Sequence, residues 1–269
     1  MALATPTPRV GELLRDWRQR RNLSQMEVSL DSAVSSRHLS FIETGRARPS
    51  REMVLHLAER LEVPLRERNR LLLAAGFAPE YRERSLDDAE MAPVRDALDR
   101  FLRAHEPFPA LVVDGHWNMV AANAGIGIVT AGVAPELLAD GPPNALRLAL
   151  HPDGLAPRIA NFADWSGHLM HRLRRAAAIT ADPRLQELHD ELADYPGVER
   201  DPPHGHGVGE ELVLPLRLRH EGHELELFST MTTFGSAVDI TLTELSVEAF
   251  YPADEATTAI LREVVAAGH

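Results

Sequence analysis

The chain has 269 residues, 44% of them hydrophobic, no cysteine and a formal net charge of −12. That length favours two domains, the missing cysteines exclude disulfides and thiolate-held metals, and no apolar run approaches the roughly 20 residues of a membrane span. The charge is divided unevenly: residues 1–84 hold 15 Arg and 11 acids, a balance of +4, and residues 85–269 hold 13 Arg and 29 acids, a balance of −16, so a basic module suited to nucleic acid is joined to an acidic one with another task.

Taken in order, Thr7-Pro8 reads as an N-cap followed by Pro at the first helical position. Val10, Leu13, Leu14 and Trp17 then recur at helical spacing. Arg15, Arg18, Arg20 and Arg21 crowd this helix, as a solvated face or as phosphate contacts. Residues 23–45 read as two short helices around a tight connection. Ser24 and Glu27 form a capping box, and Val28 starts the buried side. Ser35 suits the cap of the second helix. Leu39 and Ile42 face inward, Ser36, Arg37, Ser40 and Phe41 face the other way, and Gly45 supplies the stop. A second helix led by small polar residues and an Arg suits a major groove. Pro49-Ser50 opens a helix with Val54, Leu57, Ala58 and Leu61 inward. Pro64 opens a fifth, with Leu65, Leu72 and Leu73, closed by Gly76 and Pro79.

Leu23-Ser24-Gln25, the small-residue turn at 33–35 and Leu39-Ser40-x-Ile42-Glu43-x-Gly45 resemble the helix-turn-helix of phage-repressor-like (XRE-type) regulators over residues 9–76. Ala33 stands where that family usually has Gly; a positive φ there would cost about 1 kcal/mol. The resemblance implies contacts to double-stranded operator DNA from Gln25, Ser35, Ser36, Arg37, His38, Ser40, Phe41, Arg46, Arg48 and Arg18. Arg37 suits a bidentate guanine contact, and Phe41 either meets a thymine methyl or packs on a neighbouring helix. All 28 basic residues are Arg; Arg suits such contacts, but the acidic half also lacks Lys, which points to composition bias. One small reader rarely suffices, so a homodimer on two half-sites is expected.

Residues 78–93 are polar and Pro-bounded and read as a linker between a first domain at 1–77 and a second at 94–269. Val94, Leu98, Phe101 and Leu102 mark a helix. Residues 110–114 and 117–122 read as strands around a two-residue Asp114-Gly115 turn. Gly125 and Gly127 do not make a dinucleotide fingerprint, because Thr130 takes the third glycine position. Residues 123–131 and 137–151 read as short helices. Residues 157–180 are the longest helical stretch, with an apolar stripe of Phe162, Trp165, Leu169, Leu173 and Ala176. Asp182-Pro183 starts another helix, to about Tyr195. The loop at 195–209 contains His204-Gly205-His206, which lacks a third ligand for a metal. A two-residue turn at Glu221-Gly222 pairs Arg219 with Glu224 and Arg217 with Glu226 on one face, and Leu218 with Leu225 and Leu216 with Leu227 on the other. A third strand is expected around 237–245, where Val238, Ile240 and Leu242 alternate with polar residues, and a last helix at 252–267.

This order implies an α+β second domain, an antiparallel sheet of about five strands with helices on one face, similar to a PAS-like sensor. Arg37-His38-Leu39-Ser40-Phe41, Arg48-Pro49-Ser50-Arg51-Glu52-Met53, Leu65-Arg66-Glu67-Arg68-Asn69, Ala74-Ala75-Gly76-Phe77-Ala78-Pro79, Pro109-Ala110-Leu111-Val112-Val113-Asp114 and Trp117-Asn118 resemble an XRE-type reader followed by an MmyB-like ligand-binding domain. That resemblance implies a pocket for an apolar, fatty-acyl-like small molecule. The candidate walls are Trp117, Met119, Phe162, Trp165, Met170, Phe228, Met231 and Phe234, although such residues also build cores; His116, His168 and Arg172 are candidates for a polar head. No G-x-S-x-G elbow is present, and Asp164, His168 and His171 are explained by one helix surface, so no enzyme and no cofactor is expected. The acidic domain also suits a protein-interaction module. Nothing in residues 1–8 resembles a secretion signal, so a cytoplasmic regulator is expected.

Overall fold

The computed structural model describes residues 9–139, 141–200, 214–234 and 239–267. Thr7, Pro8, His204, His206 and Val238 lie outside the described residues. The chain forms two compact units, 1–84 with 237–240, and 85–236 with 241–269.

The first unit has five helices: α1 (Val10–Arg20), α2 (Gln25–Ser32), α3 (Ser36–Glu43), α4 (Arg51–Arg60) and α5 (Leu65–Ala74). Their starts follow side-chain chemistry. Ser24 Oγ accepts from the Glu27 amide at 3.2 Å while Glu27 Oε2 accepts from the Ser24 amide at 2.7 Å, closing the capping box. Ser35 and Ser50 accept from the amides of His38 and Met53 in the same way. Leu14, Trp17, Val28, Leu39, Ile42, Val54, Leu57 and Leu72 form the core. Leu73, expected inward, is exposed, because it follows the buried pair Leu71 and Leu72 around the helix.

Between α2 and α3 the chain turns at Ala33, with φ +55. That left-handed backbone suits glycine and strains alanine, and the Ala33 side chain is exposed, so its methyl packs little. Ala33→Gly is therefore expected to stabilise this unit by up to about 1 kcal/mol, after the extra freedom of the unfolded chain is offset. Thermal melting checks it: a rise of a few degrees is expected, and a fall would mean that the strain is not there.

Part of the expected linker is tied to the first unit. Asn69 Oδ1 accepts from the amides of Glu80 and Tyr81 at 2.9 and 3.0 Å, its Nδ2 donates to the Tyr81 carbonyl at 2.7 Å, and Arg66 pairs with Glu83. Arg84 pairs with Asp239 at 2.7 Å, and the Ile240 amide donates to the Arg82 carbonyl at 2.9 Å.

The second unit opens with α6 (Ala92–His105) and holds five strands, β1 (Ala110–Val113), β2 (Met119–Ala122), β3 (Leu216–His220), β4 (His223–Thr233) and β5 (Ser246–Pro252). They form one antiparallel sheet in the order β2-β1-β5-β4-β3. Between β2 and β3 lie α7 (Ile126–Thr130), α8 (Glu136–Ala139), α9 (Ala145–Leu150), α10 (Phe162–Thr180) and α11 (Pro183–Ala193); α12 (Ile240–Glu244) precedes β5 and α13 (Glu255–Ala267) follows it. The β3–β4 register is the expected one: Leu216 faces Leu227, Arg217 Glu226, Leu218 Leu225 and Arg219 Glu224. All four leucines are buried, and Arg217 pairs with Glu226 on the outer face.

Three expectations change. Of the strand placed around 237–245, the described residues form α12 instead, because Asp239 and Ile240 are held by Arg84 and Arg82, and the strand that enters the sheet, β5, starts only at Ser246. The turn between β1 and β2 is longer than two residues: Asp114 Oδ1 accepts from the amides of His116 and Asn118, and β2 starts at Met119. Finally, both faces of the sheet are covered. Leu111, Val113 and Phe250 join the core shared with α10 and α11. Ala110, Val112, Val247 and Ala249 point the other way, onto Leu98 and Leu102 of α6. Alternation along β1 and β5 allows this because every residue of β1 is buried.

Candidate nucleic-acid interface and ligand cavity

In the first unit α3 turns Leu39, Ile42 and Glu43 inward and leaves Ser36, Arg37 and His38 exposed. The Arg37 guanidinium lies 5.3 Å from the centre of the Phe41 ring one turn later, a cation–π contact that keeps both side chains on the outer face. Ser40 is half-buried, and Ser35 sits exposed at the helix start. Arg46 and Arg48 are exposed on the following loop, and among the described residues neither meets a carboxylate.

Arg18 and Gln25 stand differently. Arg18 Nε and Nη2 donate to the two Glu43 oxygens at 2.7 and 2.9 Å, and its Nη1 donates to the Leu23 carbonyl at 2.8 Å. Gln25 Nε2 donates to Glu43 Oε2 at 2.8 Å. Both expected DNA contacts are thus engaged inside the unit, and they pin α3 to α1 and α2. Glu43 is the residue that sequence reasoning missed. Its spacing from Leu39, at i and i+4, would have placed it on the buried face.

The second unit holds a partly open apolar cavity, with about 60 Å³ of space, between the sheet and the helices above it. The strands contribute Leu111, Met119, Leu216, Glu248 and Phe250; the helices contribute Ile126, Val129, Leu146, Leu148, Trp165 and Leu169; Trp117 comes from the β1–β2 turn. Its space is less than half of the about 150 Å³ that accommodates benzene in an engineered protein cavity. Any larger occupant needs side chains such as Met119 and Ile126, both half-buried, to move aside. Trp117 holds φ +67, a conformation that a bulky side chain seldom adopts.

Of the candidate walls, Trp117, Met119 and Trp165 line the cavity, while the others lie elsewhere. Met170 is packed fully into the core. Phe162 packs at the margin of the same core, beside Gly197. Phe228 stacks on Tyr251 at 5.2 Å, and Phe234 packs against the α6 side of the sheet. Met231 is exposed. Phe228 alternates away from Leu225 and Leu227, which face the core shared with α10, and Met231 lies in the exposed C-terminal part of β4.

Of the polar candidates, His116 Nε2 contacts Asp182 Oδ2 at 2.8 Å, and His168 stacks on Trp165 at 5.6 Å. Burial pushes the Asp182 carboxyl up, but hydrogen bonds from Arg184 and His116 outweigh it and hold it well below the usual carboxylate range. Asp182 also caps α11 through the Arg184 amide. Arg172 lies over the Trp117 ring at 4.8 Å and pairs with Glu248 at 3.0 Å. Among the described residues no three His, Asp or Glu side chains are arranged to hold a metal, and no helix is long and apolar enough to cross a membrane.

Residues 94–264 match the family model of the MmyB-like transcription regulator ligand binding domain, and residues 9–71 match a helix-turn-helix domain. The chain belongs to the MmyB-like transcription regulators. The MmyB-like match spans every wall of the cavity, and the helix-turn-helix match spans α1 to α4 and most of α5. No curated protein matches the chain. Among solved structures it is similar to the PAS domain from Bordetella pertussis BvgS, at 13% identity and a TM-score of 0.25, over 64% of this chain and 97% of that one. This MmyB-like chain is thus a DNA-binding transcription regulator with a ligand-binding domain.

Proposed function

We propose that this regulator acts as a cytoplasmic, sequence-specific homodimer of the XRE type, whose affinity for its operator is set by an apolar small molecule held in the cavity of the second unit. The observation that carries this reading is the exposed, Arg37-tipped α3 on a basic unit, in a chain whose other unit holds an almost wholly apolar cavity. Ser36, Arg37 and Phe41 are assigned to base edges, and Ser35, His38, Ser40, Arg46 and Arg48 to the backbone. Arg18 and Gln25 act on DNA through the orientation of α3. Two copies reading half-sites about 34–36 Å apart satisfy the spacing rule of such readers. A ligand that favours one arrangement of the dimer changes operator affinity by its differential affinity for the two arrangements. The strained Trp117 backbone at the cavity wall supports a binding role, and the resemblance supports a fatty-acyl-like hydrocarbon part for the ligand.

Arg37→Ala is expected to weaken the specific site by about 1–3 kcal/mol while leaving binding to random DNA almost unchanged. Titration of operator and scrambled duplexes at one fixed salt concentration reads both. Equal losses on the two would move Arg37 to the phosphate contacts. Operator titration across a panel of apolar compounds tests the ligand arm, and an affinity that no compound changes would remove it.

The small resting cavity and the −16 charge of residues 85–269 favour a second reading, in which the acidic unit is a protein-interaction module. Native mass spectrometry of the full chain purified from its host separates the two: a retained small molecule supports the first, a retained protein the second.

A further inference from the structure

Glu248 is the single charged side chain among the described residues that line the cavity. It follows Val247 on β5 and faces the same side as Phe250, so the strand's alternation delivers a carboxylate into an apolar wall. The residue is 5% exposed. Its Oε1 accepts from Arg172 Nη1 at 3.0 Å. Arg172 is itself fixed over the Trp117 ring at 4.8 Å, with Nη2 3.2 Å from the Met231 sulfur. A carboxylate can accept about four hydrogen bonds, and among the described residues Glu248 meets no second donor. The cavity wall therefore carries one carboxylate, whose charge is balanced by Arg172 beyond the lining residues and which has acceptor capacity to spare.

That arrangement discriminates between head groups. An anionic head brought to Glu248 meets its charge in a medium where like charges repel strongly. A cationic head at the same place is opposed by the Arg172 charge, which lies 3.0 Å behind that carboxylate. An uncharged head with an O–H or N–H donates to Glu248 and meets neither penalty. We propose that the cavity selects an uncharged apolar molecule carrying a hydroxyl or amide donor, received by Glu248, over the fatty acid or amine of the same length. This rests on the ligand role proposed for the cavity and names the chemistry of its polar end.

Two of the three tryptophans, Trp117 and Trp165, line the cavity, so intrinsic fluorescence of the full-length protein reads occupancy. The probes are 1-octanol, 2-octanone, octanoate and octylamine. Octanol is expected to bind at least about tenfold more tightly than either ion, and more tightly than 2-octanone, which has an acceptor but no donor. Any apolar cavity disfavours ions, so the charge-removing variants decide the matter. Glu248→Gln leaves Arg172 without its counter-charge and is expected to improve octanoate binding about tenfold. Arg172→Gln leaves Glu248 alone and is expected to improve octylamine binding by a similar factor. Thermal melting establishes that each variant is folded.

Octanoate binding as tightly as octanol, or folded variants that keep the parent's ranking, would overturn the head-group assignment and leave the ligand role standing. Equal binding of 2-octanone and octanol overturns it on the parent protein alone, whether or not the variants fold. If none of the four probes binds, by fluorescence and by native mass spectrometry, the ligand role itself falls and the assignment with it.

Discussion

Replacing Glu43 by alanine is expected to destabilise the first unit by about 3 kcal/mol and to lower operator affinity. The variant leaves the Arg18 guanidinium, whose side chain is only 12% exposed, with one carbonyl partner in place of a bidentate carboxylate. Breaking a buried pair from one side costs about 3–5 kcal/mol, and the partial exposure of Arg18 together with the nearby Arg15, at 3.7 Å, places the effect at the low end. For a unit of this size that is a fall in melting temperature on the order of 12–20 °C. Gln25 loses its acceptor as well, so two of the fastenings that orient α3 go together. Both specific and random DNA are expected to be affected, unlike with Arg37→Ala. Replacing the pair together, Arg18→Met with Glu43→Leu, is expected to recover most of the stability; a double variant as unstable as the single one would show that the charges are not what matters.

The same carboxylate sets a pH dependence. Burial pushes the Glu43 carboxyl up, but hydrogen bonds from Arg18 and Gln25 and the charges of Arg18 and Arg15 outweigh it, and its pKa lies below the usual carboxylate value. A group whose folded pKa is depressed contributes its full stability above the unfolded value and loses it as pH falls through the folded one. The gap in melting temperature between the parent and Glu43→Ala is therefore expected to be widest at neutral pH and to narrow in acid, below about pH 4.5.

Gly11→Ala is expected to be the other severe change. A Cβ at Gly11 would lie well inside contact distance of the Ile42 carbonyl oxygen and 3.0 Å from the Glu43 carbonyl oxygen. Both atoms are backbone at the end of α3, held by helical geometry, so no flexible side chain can swing away. The crossing of α1 over α3 has to open, and overpacking of this kind costs about 1–3 kcal/mol and sometimes more. Because alanine is the better helix former, the sign of the result separates packing from propensity. A loss of melting temperature on the order of 10 °C or more is expected, together with weakened DNA binding as α3 is displaced. Gly127→Ala is the matched control: a Cβ there meets nothing within 4 Å, so it is expected to be neutral or slightly stabilising. Similar losses at both sites would mean that close approach is not the cause at Gly11.

Much of this molecule is legible along the chain, and the limit has a physical form. Caps and turns are local: Ser24 with Glu27, Ser35, and Glu221-Gly222 act on amides a few residues away, so residue order is enough to place them. The β3–β4 register was legible for the same reason, since one pairing satisfies both its leucine face and its Arg–Glu face. The outward face of α3, with Arg37 and Phe41, follows from the positions of Leu39 and Ile42.

Side chains whose partners lie far along the chain take their roles only once the chain is packed. Arg18 and Arg37 look alike in a sequence, but Arg18 meets Glu43 25 positions away and Arg37 stays in solvent. Alternation around 237–245 suggested a strand, yet the contacts of Asp239 and Ile240 with Arg84 and Arg82, about 155 positions earlier, make that segment part of another element. The cavity shows the division most clearly. Residue order alone was enough for a basic helix-turn-helix reader, an antiparallel sheet of about five strands with one of them misplaced, and a supply of apolar residues, because periodicity and capping act over a few residues. Which of those residues line a hollow, and that the Glu248 in its wall is paired with Arg172, depends on strands and helices meeting across 76 positions, where only the packed chain sets the distances.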